Sequence, residues 1–431
     1  MNMINVRRLT VMTFLGAGML SGISAQVSPL QVDTLKETQI PDQWDLQSCI
    51  DYAKEQNITI RKNRITAAST QIDVKTAKAA LFPSLSFSTG HQVVNRPYQE
   101  TSSRVSGSEI ISSNSKTSYN GNYGLNASWT LYNGNKRLKT IQREKLNNQV
   151  AELDVATSEN NIQESIAQVY IQILYAAESV KVNENTLQVS IAQRDRGQEL
   201  LNAGSIAKSD LAQLEAQEST DRYQLVTAQA TLEDYKLQLK QLLELDGENE
   251  MNIYLPALSD ENVLAPLPTK RDVYISALSL RPEIEASKLN VEASELGINI
   301  AKSSYFPTIS LSAGIGTNHT SGSDFTFGEQ VKNGWNNSIG LSVSVPIFNN
   351  RQTKSAVQKA KLQYETSMLS LLDEQKALYK TIESLWLDAN SAQQRYAAAN
   401  EKLKSTQISY ELISEQFNLG MKNTVELLTE K

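Results

Sequence analysis

Lys78-Ala79-Ala80-Leu81-Phe82-Pro83-Ser84-Leu85-Ser86-Phe87-Ser88-Thr89-Gly90 recurs further along the chain as Lys302-Ser303-Ser304-Tyr305-Phe306-Pro307-Thr308-Ile309-Ser310-Leu311-Ser312-Ala313-Gly314. A second pair follows: Leu125 to Asn133 (LNASWTLYN) returns as Leu341 to Asn349 (LSVSVPIFN), at a slightly shorter offset. That shorter offset also aligns Glu199, Asn202, Gly204 and Leu211 with Glu415, Asn418, Gly420 and Leu427. The order is kept, and the offset changes once, between the two motifs, as a loop of variable length would make it change. The chain is an internal duplication. Each copy runs helix, strand, loop, strand, very long helix, tight turn, helix. Repeat one covers residues 42–245 and repeat two residues 271–431. Residues 246–270 carry Pro256, Pro266 and Pro268 and no long period, so they read as an interrepeat linker or an irregular subdomain.

The motifs alternate. Leu85, Phe87, Thr89, His91 and Val93 interleave with Ser84, Ser86, Ser88, Gly90 and Gln92. From Tyr119 to Leu131 the odd positions are mostly apolar or aromatic, and the even ones are Asn, Gly, Ser and Thr. Ile309, Leu311, Ala313 and Ile315 alternate with Ser310, Ser312, Gly314 and Gly316, and Ile339, Leu341, Val343 and Val345 with Ser338, Gly340, Ser342 and Ser344. A period of two means strands with one apolar and one polar face. We expect them at about 84–95, 118–132, 307–318 and 335–348. Such lengths suit a tilted crossing of a bilayer, with apolar residues toward lipid and small polar ones toward a water-filled lumen. The competing reading is a half-buried soluble sheet, but no helical pattern lies beside these strands to cover them. Arg96 to Thr117 and His319 to Gly334 are polar and read as exposed loops on the outer side. Four strands cannot close a barrel, so closure requires several chains: two would give eight strands and three twelve.

From Thr353 to Glu415 there is neither Pro nor Gly. Ile382, Leu385, Ala389, Ala392, Tyr396, Ala399, Leu403, Thr406, Tyr410 and Ile413 follow a 3-4 spacing, the seam of a coiled coil. The matching helix, Lys136 to Glu199, spaces Ile166, Ile173, Val180 and Leu187 by seven, and Ile162, Val169 and Ala176 likewise. At ~1.5 Å per residue each rod is about 95 Å long. Gly204 and Gly420 stand where left-handed C-caps belong. The turns Asn202-Ala203-Gly204-Ser205 and Asn418-Leu419-Gly420-Met421 are thus the far tips, and Ser209 to Leu245 is a returning helix. Glu411 and Glu415, and their partners Asp195 and Glu199, put four acids at one depth, candidates for an acidic constriction. Arg194 and Arg196 beside the first pair favour the plainer reading of solvated surface acids.

The rest of the composition excludes more than it supplies. Lys plus Arg is 41 and Asp plus Glu 47, a net charge of −6 that argues against a nucleic-acid partner. One cysteine, Cys49, forbids a disulfide within the chain. Two histidines, His91 and His319, do not match between repeats and read as ordinary residues near strand ends, not a metal pair. We expect no metal, no cofactor and no catalytic centre: no nucleophile elbow, metal-ligand cluster or phosphate loop is evident. Arg7 and Arg8, the apolar run Leu9 to Met19 and Ile23-Ser24-Ala25 mark residues 1–25 as a cleaved signal peptide. Residues 26–41 are then an N-terminal linker.

Ser344-Val345-Pro346-Ile347-Phe348-Asn349-Asn350-Arg351 resembles the strand-to-helix junction of the outer-membrane efflux protein (TolC-like) family, and Trp129-Thr130-Leu131-Tyr132-Asn133-Gly134-Asn135 resembles its first-repeat counterpart. Phe82-Pro83 and Phe306-Pro307 resemble the family's helix-to-strand junctions, and Phe417 to Leu428 its tip turn. The resemblance covers about residues 42–431. It implies a mainly α protein with membrane β, a homotrimer with a twelve-stranded barrel in the outer-membrane lipid of a Gram-negative-type bacterium and a helical barrel through the periplasm. It further implies a passive exit duct for tripartite efflux or type I secretion, docked by a periplasmic adaptor (membrane fusion) protein that couples it to an inner-membrane transporter. The alternatives are a periplasmic adaptor, which has no use for two membrane-type hairpins, and a trimeric adhesin, whose strands would be consecutive at the C-terminus. Lys431 aligns with Glu215, and repeat one continues beyond Glu215 from Ala216 to Leu245, so a truncated product or a fragment is expected.

Overall fold

Two faces persist across a sheet only where neighbouring strands pair odd with odd and even with even. The computed structural model describes residues 41–98, 102–106, 109–113, 116–246, 251–256, 263–321 and 325–430. The expected signal peptide, and the linker 26–41 save Pro41, lie outside these residues. The strands are β1 (Ser84–Asn95), β2 (Ser102–Ser106), β3 (Glu109–Ser113), β4 (Thr117–Asn133), β5 (Thr308–Thr320) and β6 (Asn336–Ser344). β1-β4-β5-β6 form one antiparallel sheet, and β2 and β3 a separate pair. The register keeps parity from the outer end as far as Thr130. Ser86, Asn126, Gly314 and Ser338 share one row, and Leu85, Ala127, Ala313 and Ile339 the next. Small polar residues thus cover one face and apolar residues the other. Leu85 is 70% and Ile339 83% exposed. Near the inner end the register shifts between Thr130 and Tyr132, so Leu131 is an extra residue and Tyr132 pairs with Ile309 on the apolar side.

Three loop and strand expectations need correction. The loop expected at Arg96 to Thr117 contains the hairpin β2–β3. The loop expected at His319 to Gly334 contains a short helix (Phe327–Asn333), nucleated by a capping box in which Thr326 and Glu329 close each other's backbone. The last strand stops at Ser344 rather than running to 348, because its partner β5 begins at Thr308, after Pro307, and Pro346 has no N–H to donate.

The helices are α1 (Leu46–Gln56), α2 (Ile58–Ala79), α3 (Lys136–Asn202), α4 (Lys208–Leu242), α5 (Lys270–Leu280), α6 (Pro282–Lys302), α7 (Phe327–Asn333), α8 (Gln352–Asn418) and α9 (Thr424–Glu430). α3 and α8 have 67 residues each. Among the described residues no helix is long and apolar enough to cross a membrane. Buried Asn57 closes two helix ends at once: Oδ1 accepts from Thr59 and Ile60 N–H at the start of α2, and Nδ2 donates to the Leu242 carbonyl at the end of α4.

In repeat one the seam is covered. Ile166 and Ile173 sit with Trp44, Cys49, Ile50, Ala53, Tyr170, Leu239 and Leu243 in one core between α1, α3 and α4. Burial, with Asp45 nearby, pushes the Cys49 thiol up to about 12. In repeat two Ile382 is buried, but Leu385 and Leu403 are 56% and 62% exposed. The seam expected to pack as a coiled coil therefore lies open over much of its length. A heptad specifies that a helix face will be covered, not that the cover comes from the same chain. The segment between the repeats is pinned on both sides. Trp44 N–H donates to the Asn252 carbonyl at 2.8 Å, and Trp386 and Gln393 of α8 donate to the carbonyls of Pro268, Val263 and Ala265.

Both strand-to-helix turns take two successive left-handed residues, Gly134-Asn135 (φ 66° and 63°) and Asn350-Arg351 (φ 51° and 65°). Position 134 admits only glycine, since a Cβ would lie 2.7 Å from the Ser303 carbonyl oxygen and 2.9 Å from Phe306 Cβ. Ser303 Oγ in turn donates to the Gly134 carbonyl at 2.8 Å, and Trp129 Nε1 to the Leu81 carbonyl at 2.7 Å. The sheet's inner end is thus stitched to the helices of both repeats.

Gly134→Ala should lower stability by roughly 2 kcal/mol or more, from left-handed strain plus the clash, whereas Asn350→Gly should change it by less than about 1 kcal/mol. Thermal unfolding followed by circular dichroism measures the difference. Leu341→Arg should cost ~2–4 kcal/mol of membrane folding and Ser342→Arg far less, read from the yield of heat-modifiable protein in detergent; equal tolerance on both faces would remove the two-faced reading.

Candidate functional site

The candidate site is the pair of tips at the far ends of α3 and α8. Each is closed by the same backbone lock. Ser205 N–H reaches the Leu200 carbonyl at 2.8 Å and Gly204 N–H the Leu201 carbonyl at 2.9 Å. Met421 and Gly420 repeat this on Gln416 and Phe417 at 2.8 and 2.9 Å. The pattern is a Schellman motif, and it needs a left-handed residue after the helix. Gly204 and Gly420 both have φ of 73°, with open space where a Cβ would go, so conformation rather than crowding demands glycine.

After each turn a side chain opens the next helix. Asp210 accepts from the Ala207 N–H, and Asn423 Oδ1 from the Glu426 N–H at 2.9 Å. Asn202, Ala203, Gly204, Ser205, Asn418, Leu419, Gly420 and Met421 form the two turns, and all eight are exposed. Leu419 and Met421 are 75% and 72% exposed, an apolar display that nothing in the described chain covers.

Beneath the tips, Leu200, Leu214, Phe417 and Leu427 form one buried cluster, flanked by Ile206, Tyr410, Ile413 and Leu428. The two repeats therefore end side by side on a common core. Gln193 Nε2 donates to Tyr410 Oη at 3.1 Å, and Arg196 Nη2 to the Asn418 carbonyl at 3.0 Å, capping the end of α8. A groove of about 420 Å³ runs between α4 (Gln213, Ala216, Gln217, Thr220) and α9 (Val425, Leu428, Thr429). Repeat arithmetic pointed to the turns but missed the bond from Arg196 to the Asn418 carbonyl, the core shared through Phe417 and the groove, because these depend on which helices lie beside each other.

The four acids do not behave alike. Asp195 pairs with Arg194 at 2.6 Å, and Glu199 with Arg196 at 2.7 Å. Arg194 also reaches the buried carboxylate of Glu218 at 2.7 Å. Its hydrogen bond with Asp195 pushes the guanidinium's pKa up, so it stays charged. Glu411 accepts from the Gln407 amide at 3.2 Å, and among the described residues neither Glu411 nor Glu415 forms an ion pair. Of the four acids, the two beside Arg194 and Arg196 are thus neutralised, and the other two have no cation among the described residues. Among the described residues no group of three or more His, Cys, Asp or Glu could hold a metal ion.

A family profile described as "Outer membrane efflux protein" matches residues 49–244 and 273–429. The outer membrane efflux protein BepC of Brucella suis is 25% identical over 289 residues, covering 67% of this chain and 58% of BepC. The outer membrane protein TolC of Escherichia coli is 23% identical over 288 residues, 65% of this chain and 57% of TolC. The chain thus spans less than two thirds of the length of these relatives. The solved structure of CusC superposes with a TM-score of 0.75 at 18% identity, over 92% of this chain and 88% of that one. At that identity the likeness concerns the fold.

Proposed function

The chain belongs to the outer membrane efflux protein family, and from that membership we propose that it is the exit duct of an export assembly. The observation that carries this reading is the sheet. Most of its apolar face lies open and, among the described residues, the edge strands β1 and β6 each pair on one side only, while β4 and β6 lead through short turns into two 67-residue helices. Unpaired edges are intolerable in lipid, so copies of the chain complete the barrel. Three copies give twelve strands in the outer membrane and a helical tube in the periplasm. The polar rows of Ser, Asn, Gly and Thr line the water-filled path. The conduit is passive: it performs no chemistry, and energy enters through partners. A periplasmic adaptor caps the tips, and an inner-membrane transporter works through that adaptor. The exposed Leu419 and Met421 and the groove between α4 and α9 suit an apolar helical hairpin. The reading of the chain itself as an adaptor gives the two-faced sheet no role.

Ala203→Trp or Ser205→Trp should abolish export while heat-modifiable trimers still assemble in the outer membrane. Normal export by these variants would remove docking at the tips.

The acids give a separate test. In single-channel recordings of reconstituted trimers, Glu411→Gln with Glu415→Gln should lower cation selectivity. Asp195→Asn with Glu199→Gln, whose carboxylates already pair with arginines, should lower it less. If neither pair moves selectivity, the acids are ordinary surface residues.

A further inference from the structure

The outer end of the sheet holds a cluster to which the duct reading gives no task. His91, Gly121 and His319 occupy one row across β1, β4 and β5. The two histidines expected to be unrelated strand-end residues are therefore neighbours. Gly121 has no side chain, and Tyr119 fills the gap, its ring centre 5.8 Å from His91 and 5.9 Å from His319. Tyr119 Oη meets His91 Nδ1 at 2.6 Å. The next row is Thr89, Tyr123 and Thr317. Trp335 stands just before Asn336, the residue at the outer end of the β5–β6 ladder, and continues the odd positions of β6. All these residues share the parity of Leu85, Leu125, Ile315 and Ile339, the apolar face.

α7 is folded down onto that face. The Phe327 ring stands edge-on to His319 at 5.0 Å and 78°. Thr317 Oγ1 donates to the Val331 carbonyl at 2.8 Å. Gln330 fixes the helix twice, accepting from Thr320 N–H and donating to the Phe325 carbonyl, both at 2.9 Å. α7 thus packs on the side that carries Thr317 and His319.

At the opposite end of the apolar face stand Trp129 and, past the bulge, Tyr132. Tyr132 is nine positions after Tyr123, about 30 Å of strand, or roughly 23 Å after a tilt of ~40°. A lipid-facing band of ~25 Å between two aromatic girdles is what an outer-membrane barrel presents.

We propose that α7 and the His91–Tyr119–His319 cluster form an interfacial foot, seated in the headgroup layer of the outer leaflet, and not a lid over the bore. The proposal rests on the duct reading and says where one of its outer loops goes. Lipid is the occupant because the cluster continues the apolar rows without a break, and rings with polar edges favour headgroup depth. Phe325, Phe327 and Trp335 are 47%, 41% and 57% exposed. α7 packs on β5, which is interior to the sheet, so a chain pairing with β1 or β6 would not pair with the strand beneath α7.

Trp335 reports the depth. A protein carrying W44F, W129F and W386F retains it alone of the four tryptophans. The probe is phosphatidylcholine vesicles brominated either near the headgroup or near the chain end. Shallow bromine should remove about half of the Trp335 emission and deep bromine much less, the mark of a girdle residue. A companion protein with all four tryptophans changed to Phe and L341W added should be quenched by deep bromine. If L341W is quenched and Trp335 responds to neither lipid, the foot is wrong and the barrel stands. If L341W is also silent, both readings fall. Releasing α7 by F327S with Q330A should leave single-channel conductance unchanged; a rise would make the loop a lid and overturn the proposal.

Discussion

A peptide group left without a partner in hydrocarbon costs several kcal/mol, and this protein's architecture is organised around that penalty. Within the sheet the penalty is met by an antiparallel register that never breaks parity from β1 to β6 until Leu131 bulges at the inner end. At the outer edges it cannot be met by one chain, because the two hairpins bring only four strands to the sheet. The edges therefore make the single chain an incomplete object. The open seam of α8 expresses the same incompleteness in the helices: Leu385 and Leu403 present an ordered apolar stripe with no described helix over it.

The duplication explains why the pieces fit and where they differ. One offset, Lys78 to Lys302, holds up to the outer loop, and a shorter one, Leu125 to Leu341, holds after it, so the change falls on the loop. Repeat one builds the hairpin β2–β3 there, and repeat two builds α7. At the inner end the repeats depend on each other, since the turn at Gly134 has room only because the Ser303–Phe306 corner of the other repeat is shaped around it. At the tips they share Leu200, Leu214, Phe417 and Leu427, yet where repeat one has the ion-paired Arg194 and Arg196, repeat two has Tyr410 and Leu412.

Local periodicity made much of this legible. Alternation identified the faces because lipid and water impose a period of two, and proline-free runs with heptad spacing identified the rods. The gaps arose wherever the answer depended on a neighbour. His91 and His319 belong to different repeats and meet only through the register of β1, β4 and β5, which no single stretch encodes. α7 is seven residues long, too short for periodicity, and its capping box at Thr326 and Glu329 was the one signal available. The paired state of Asp195 and Glu199 was legible in the adjacent arginines, whereas the bond from Arg196 to the Asn418 carbonyl was not.

α3 and α8 are each 67 residues long, and both start at the same kind of two-residue left-handed step beneath one sheet. Two rods of equal length hung from one plane end at one depth, and the pair behaves as a ruler. A heptad inserted into α3 alone would push its tip about 10 Å past its partner. Leu200 and Leu214 would then part from Phe417 and Leu427. Length in this chain is therefore a matched quantity: the rods can grow or shrink only together, and the span they measure is a property of the duplication rather than of either helix.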